Sequence, residues 1–174
     1  MNIVLIGMRG SGKSTVAKML AKKLGRKYME LDDEIAKKAG ARISEVVEQQ
    51  GWNYFRVREA EVVEEAAAVD NTVISTGGGV VLQSKNVQAL KKNGICIFLS
   101  APIEELLPRI GESSTRPRLT GAKTMKEELE KVWEERKPLY EKAADETIDT
   151  TGMKPKDIAE EIVQRLKKKH IVQI

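Results

Sequence analysis

The sequence is poor in the residues on which much of protein chemistry depends. It has one cysteine and one histidine in 174 residues. The cysteine, Cys96 in the run ICIFL, supports neither a disulfide framework nor a thiolate metal cluster, and it points to a reducing compartment. Within that run it reads as a small buried hydrophobe of a strand. His170, in KKKH, reads as a solvated residue at a helix end. Histidine-based hydrolysis and histidine-rich metal sites are thereby excluded. Long hydrophobic runs are missing too. MNIVLIGM is too short for a signal peptide and lacks a basic start, and no segment approaches the roughly 20 apolar residues of a membrane span. The expectation is a soluble, cytoplasmic protein without membrane contact. Nor is there a dominant charge: 30 Lys and Arg stand against 26 Asp and Glu, a formal net charge of +4, and the signs are interspersed. A nucleic-acid-binding face is not demanded, because a few arginines serving an anionic small molecule account for the excess equally well.

What is present begins almost at once. GMRGSGKS, residues 7–14, has the spacing G-x-x-x-x-G-K-[ST]. Gly7, Gly10 and Gly12 let the backbone curl so that successive N–H groups face an anion, Lys13 reaches the outer phosphates, and the Ser14 hydroxyl can join a magnesium shell. The helix that follows points its positive end at the same place. Gly10, Ser11, Gly12, Lys13, Ser14 and Thr15 are the candidate nucleotide-binding residues. The motif alone leaves hydrolysis and phosphoryl transfer both open.

Asn2 to Ile6 reads as a buried strand, STVAKMLAKKLG as a helix stopped by Gly25, KYMEL as a second strand, and DDEIAKKAG as a helix ending near Gly40. ISEVVEQQ and NYFRVREAEVVEEAAAV read as helices separated by a turn at Gly51, with Phe55 and Val57 as packing residues. TVISTGGG is a strand running into three glycines, residues 86–93 are helical, and GICIFLSA is a strand with Pro102 opening the next helix. GESSTRPRLTGAK has no period and reads as a mobile loop. A helix from about Thr124 to Tyr140, broken by Pro138, a strand in ADETIDTT and a final helix from about Lys154 complete the chain. Strands alternating with helices predict an α/β three-layer fold, one domain with a five-stranded parallel sheet at its centre.

Several residues carry two readings. Glu30 and Asp32 stand where the second strand ends, two apart and on one face if the strand continues. They can serve magnesium and an acceptor hydroxyl, or Asp32 and Asp33 can cap a helix. Arg56 and Arg58 lie on a charged helix, where most arginines are solvated. Gly77, Gly78 and Gly79 make either a turn or a stretch that a ligand approaches closely. Arg116 and Arg118 can close over a phosphate site or stay solvated, and Arg136 can favour a helix C-terminus.

Taken in order, GMRGSGKST, YMELDDEI, FRVRE after a glycine, STGGG, STRPRLTG and ERKPLY resemble shikimate kinase, in the nucleoside-monophosphate-kinase branch of phosphate-loop proteins. The likeness runs from Ile3 to about Leu166. It implies transfer of the γ-phosphoryl group of ATP to the 3-hydroxyl of shikimate with Mg²⁺, in the chorismate pathway that leads to aromatic amino acids. Carried over by position, it implies Asp32 at the acceptor hydroxyl, Arg56 and Arg136 on the substrate carboxylate, and Gly77, Gly78 and Gly79 against the ring. It also implies Lys13 and Arg116 on the phosphates, Arg109 against adenine, and Ser14 and Glu30 toward the metal. Substrate-binding helices are then expected over about 32–62 and a mobile lid over about 111–124, in a monomer. Four positions depart from the usual family pattern. Glu30 stands where Asp is usual, Ala36 and Trp52 where Glu is frequent, and RPRL with Arg118 where RPLL is common. A related kinase acting on another hydroxylated metabolite such as gluconate is the alternative.

Overall fold

The computed structural model describes residues 1–110 and 119–173. Five strands pair in parallel in the order β2-β3-β1-β4-β5: β1 Asn2–Ile6, β2 Lys27–Glu30, β3 Thr72–Ser75, β4 Gly94–Ser100 and β5 Glu146–Asp149. Seven α-helices are found among the described residues, with one 3-10 turn at Val80–Leu82. They are α1 Lys13–Leu24, α2 Leu31–Ala39, α3 Ile43–Ala68, α4 Ser84–Lys92, α5 Ile103–Ile110, α6 Met125–Ala143 and α7 Pro155–Lys168. None of them is long and apolar enough to cross a membrane.

The apolar runs in β1 and β4 are continuous because both faces of the sheet are covered. Ile3 and Leu5 of β1 join Ile97 and Leu99 in a core packed under α1 and α7. Val4 and Ile6 point the other way with Cys96 and Phe98, into a core closed by α2, α3, α4 and α6. Cys96 is buried as expected, and burial pushes its thiol up to about 12. His170 is exposed, just past the end of α7.

Gly25 and Gly40 end α1 and α2 in the left-handed region, with φ of 61° and 66°. At Gly51 the backbone leaves helical geometry (φ 83°, ψ 169°), which kinks α3 where the sequence predicts a turn. Three expectations are corrected. Val57 is exposed, because two residues along a helix from buried Phe55 is more than half a turn away. Pro138 lies inside α6, which continues to Ala143 although the ring removes one helical N–H. The buried Tyr140 and Ala143 beyond it hold the last turn against the core. Finally, β2 stops at Glu30 and Leu31 already begins α2, so a shared strand face does not explain the pairing of Glu30 with Asp32. The lid expected over about 111–124 falls mostly on residues 111–118, outside the described residues, as do Arg116 and Arg118.

Candidate active site

The C-terminal ends of β1, β2 and β3 meet at one edge of the sheet, where ligands collect in open parallel folds. β1 delivers the phosphate loop. Gly10 and Gly12 adopt φ of 77° and 87°, and a Cβ at Gly10 would come within 2.9 Å of the Ile110 side chain. The loop wraps its own lysine. Lys13 is 8% exposed, and its ammonium donates to the carbonyls of Gly7 and Met8, each at 2.8 Å. Those carbonyls fix the charge at the N-terminus of α1, beside a cleft of about 430 Å³ also lined by Gly10, Gly12, Ser14 and Thr15. Arg109 of α5 borders this cleft, donates to the Gly10 carbonyl at 3.2 Å and pairs with Glu105 at 3.4 Å. Glu105 also accepts the Gly152 N–H at 2.8 Å, tying α5 to the turn after β5.

β2 delivers Glu30, and the first turn of α2 delivers Asp32. Glu30 Oε2 accepts from the Ser14 hydroxyl at 2.6 Å and from the Tyr28 hydroxyl at 2.9 Å, and Ser14 Oγ lies 3.3 Å from Ser75 Oγ. No group of three or more histidine, cysteine or acidic side chains converges among the described residues. Magnesium does not require one, since it keeps several waters and takes one or two protein oxygens plus substrate phosphates. A hydroxyl and a carboxylate in contact beside a phosphate loop fit that requirement.

β3 delivers the three glycines, which form the floor of a second cleft between α3 and α6. Its walls are Ile43, Trp52, Phe55 and Leu119, and its charges come from Arg9, Asp32, Arg56, Glu59 and Arg136. Glu59, 1% exposed, accepts from Arg56 Nη1 at 2.9 Å. Burial raises its carboxyl above the ordinary range, with the charges of Arg56 and Arg136 pulling the other way. Arg136 is 6% exposed, and its Nε–H finds no acceptor among the described residues. A buried unpaired donor costs about 1–3 kcal/mol, which a bound anion would relieve. One turn beyond Arg136, Tyr140 donates from its hydroxyl to the Gly78 carbonyl at 2.5 Å while its ring stacks on Phe98. Burial pushes the Tyr140 phenol up to about 12.

The glycines serve a purpose the sequence does not reveal. None has a positive φ. A Cβ at Gly77 would stand 3.0 Å from Asp32 Oδ1 and 3.3 Å from Glu59 Oε2, and one at Gly79 would overlap the Arg56 guanidinium. The side chains that crowd the glycine backbone are therefore those of the site itself.

The two clefts share a wall. Arg9, Asp32, Gly77 and Gly78 line both of them. The structure thus brings together Lys13, Ser14, Glu30, Asp32, Arg56, Gly77, Gly78, Gly79, Arg109 and Arg136, while Arg116 lies outside the described residues. Four site residues escape the sequence reading. Arg9 occupies one of the unspecified positions of the glycine motif. Glu59 follows Arg56 at a spacing of three, which the rule for helical ion pairs could have flagged. Tyr140 carries no signal of its role. Glu128, 4% exposed, accepts from the N–H groups of Leu119 at 2.6 Å and Thr120 at 3.1 Å, anchoring the segment that brings Leu119 to the second cleft.

Comparison with known proteins agrees with this geometry. The family model described as shikimate kinase matches residues 9–167. A shikimate kinase of Persephonella marina is 39% identical over 166 residues, covering 95% of this chain and 99% of that relative. Among solved structures, the shikimate kinase of Acinetobacter baumannii in complex with shikimate superposes with a TM-score of 0.92 at 36% identity, covering 97% of this chain and 93% of that one. The Aquifex aeolicus shikimate kinase gives a TM-score of 0.84 at 33% identity, covering 98% and 99%. With a family match over most of its length and relatives well above 30% identity, this chain belongs to the shikimate kinase family and is an ATP-dependent small-molecule kinase.

Proposed function

We propose that the two clefts divide the family's reaction between them, ATP phosphates in the glycine-loop cleft and shikimate in the cleft between α3 and α6. The reaction gives shikimate 3-phosphate and ADP. One observation carries this reading: Asp32 lines both clefts, so an acceptor hydroxyl at the common wall meets a carboxylate and a phosphoryl group together. The hydroxyl oxygen attacks the γ-phosphorus, the bond to the β,γ-bridging oxygen breaks with its electron pair leaving on ADP, and Asp32 takes the hydroxyl proton late. Such transfers depend on positioning and fixed positive charge more than on a strong base. Lys13 supplies that charge on the nucleotide side. Arg56 and Arg136 take the shikimate carboxylate, with Glu59 holding Arg56 in place. Gly77, Gly78 and Gly79 face the ring.

Gly10, Ser11, Gly12 and Thr15 present the loop to the phosphates, and Arg109 sits on the base side. Ser14 and Glu30 would hold Mg²⁺, which when bound neutralises charge between the outer phosphates. The resemblance alone assigns Arg116 to the phosphates as well. By the same reading the chain works as one domain, with its acceptor-binding helices over about 32–62, as a monomer in the cytoplasm. An acceptor such as gluconate fits less well, because Ile43, Trp52, Phe55 and Leu119 give the second cleft apolar walls suited to a ring rather than an open polyol.

A coupled assay of ADP release tests the proposal, run without acceptor and with shikimate, gluconate or a nucleoside monophosphate. Shikimate alone should stimulate release, and only with a divalent cation present. Stimulation by gluconate with none by shikimate would overturn it.

A further inference from the structure

The carboxylate assigned to the magnesium side is a glutamate, one rotatable bond longer than an aspartate and so harder to hold at one point. In this fold it is held. Tyr28 and Glu30 are two apart on β2 and point to the same side, toward α1. There the Tyr28 hydroxyl donates to Glu30 Oε2 at 2.9 Å, and the Ser14 hydroxyl donates to the same oxygen at 2.6 Å. The Tyr28 ring is fixed in turn. It packs against the core under α1, and the Lys18 ammonium, one turn beyond Ser14, lies 5.5 Å from the ring centroid. Among the described residues both hydrogen bonds to Glu30 fall on Oε2, which leaves Oε1 for the water shell of a cation.

We propose that Tyr28 is a positioning residue that holds Glu30 in register with Ser14 and thereby sets the affinity of the nucleotide complex for its divalent cation. The inference rests on the assignment of Ser14 and Glu30 to the metal. Groups that orient metal ligands through hydrogen bonds commonly change metal affinity by about 10- to 100-fold when removed. The bland account is that the Tyr28 ring packs and its hydroxyl merely finds the nearest acid.

The test is a titration of the protein–ADP complex with Mn²⁺, following free Mn²⁺ by electron paramagnetic resonance. Tyr28→Phe keeps the ring and removes only the hydroxyl. It should weaken Mn²⁺ binding by about 10-fold, with ADP affinity in chelator unchanged. Ser14→Ala and Glu30→Gln should weaken Mn²⁺ binding at least as much. In the Glu30→Gln background, Tyr28→Phe should cost nothing further. If Ser14→Ala and Glu30→Gln are weakened while Tyr28→Phe stays within about twofold of the parent, below the range for such partners, the inference is overturned and the metal assignment stands. Equal loss from Tyr28→Phe in both backgrounds also overturns it, because the hydroxyl would then act through the fold and not through Glu30. If Ser14→Ala and Glu30→Gln both bind Mn²⁺ like the parent, the metal assignment itself fails and the inference with it.

Discussion

Replacing Gly79 by alanine isolates a single contact in the cleft proposed for the acceptor. The backbone there has φ −94° and ψ 6°, a region that residues with side chains occupy in type I turns, so the added methyl acts mainly through space. That methyl would overlap Cζ, Nη1 and Nη2 of Arg56. Arg56 is the far end of a flexible side chain and gives way, and in doing so it leaves Glu59 and the rings of Trp52 and Phe55, each about 5 Å away. Substrate binding then loses one of the two guanidinium groups assigned to its carboxylate. A hydrogen bond to a charged group is worth roughly 1.5–3 kcal/mol, which raises the KM for shikimate by about 10- to 100-fold. The KM for ATP should stay within about twofold, since Gly79 and Arg56 line the cleft proposed for the acceptor and not the glycine-loop cleft. The buried Glu59 also loses its donor, so the melting temperature should fall by several degrees, about 2–4 °C for each kcal/mol in a domain of this size. Steady-state kinetics with each substrate varied in turn measure the first effect, and thermal melts the second. In an Arg56→Ala background the same methyl should cost shikimate binding nothing more. An unchanged KM for shikimate, or an undiminished loss in that background, would refute the reasoning.

Lys13→Ala should remove most turnover and also lower the melting temperature, because the buried ammonium now satisfies the carbonyls of Gly7 and Met8. Turnover near that of the parent would sink the phosphate-loop role. Arg136→Ala should weaken shikimate by about 10- to 100-fold and spare ATP, read by calorimetry with each ligand; an equal loss for ATP would move Arg136 to the nucleotide side. Glu146 titrates below its ordinary value near 4.5, first through its hydrogen bond to Lys169 and then through Arg165. As pH falls through that ordinary value the unfolded chain takes up a proton that the folded one refuses, so this contribution is present above it and lost below. Melts of Glu146→Gln against pH should therefore show a shallower acid slope than the parent, with roughly 0.2–1 kcal/mol less stability at neutral pH. Parallel curves would remove Glu146 from the acid response.

The elements were legible where the signal is local. Continuous apolar runs mark β1 and β4, glycines in the left-handed region mark the ends of α1 and α2, and the spacing of GMRGSGKS marks the phosphate loop. Of the candidate site, the phosphate loop, Glu30 and the three glycines were legible through motifs at strand ends, while Arg56 and Arg136 come from within α3 and α6. What the sequence hides are contacts that only topology creates. Tyr140 meets Gly78 across 62 positions because α6 packs against the turn after β3. Propensity predicts a break at Pro138 because it weighs the missing N–H and not the core contacts of Tyr140 and Ala143 that hold the last turn. Glu30 and Asp32 reach one cleft from a strand end and a helix start, which the period of two explained by the wrong geometry.

The three glycines show how the site tolerates its own charges. Packed around a backbone that has no Cβ are Asp32, Arg56, Glu59 and Arg136, the last two almost fully buried. The two so far from water are tolerated only when each meets a partner of opposite sign or a hydrogen bond, and the missing side chains let all four charges converge on one short segment. Fixing a glycine costs about 0.5–1 kcal/mol more than fixing an alanine, so three of them weaken the fold by a modest amount. In return Arg56, Arg136 and Asp32, proposed for the substrate carboxylate and the acceptor hydroxyl, are held before any substrate arrives. Little reorganisation then remains for the moment of transfer, which is where fixed charges in a water-poor cleft lower a barrier most.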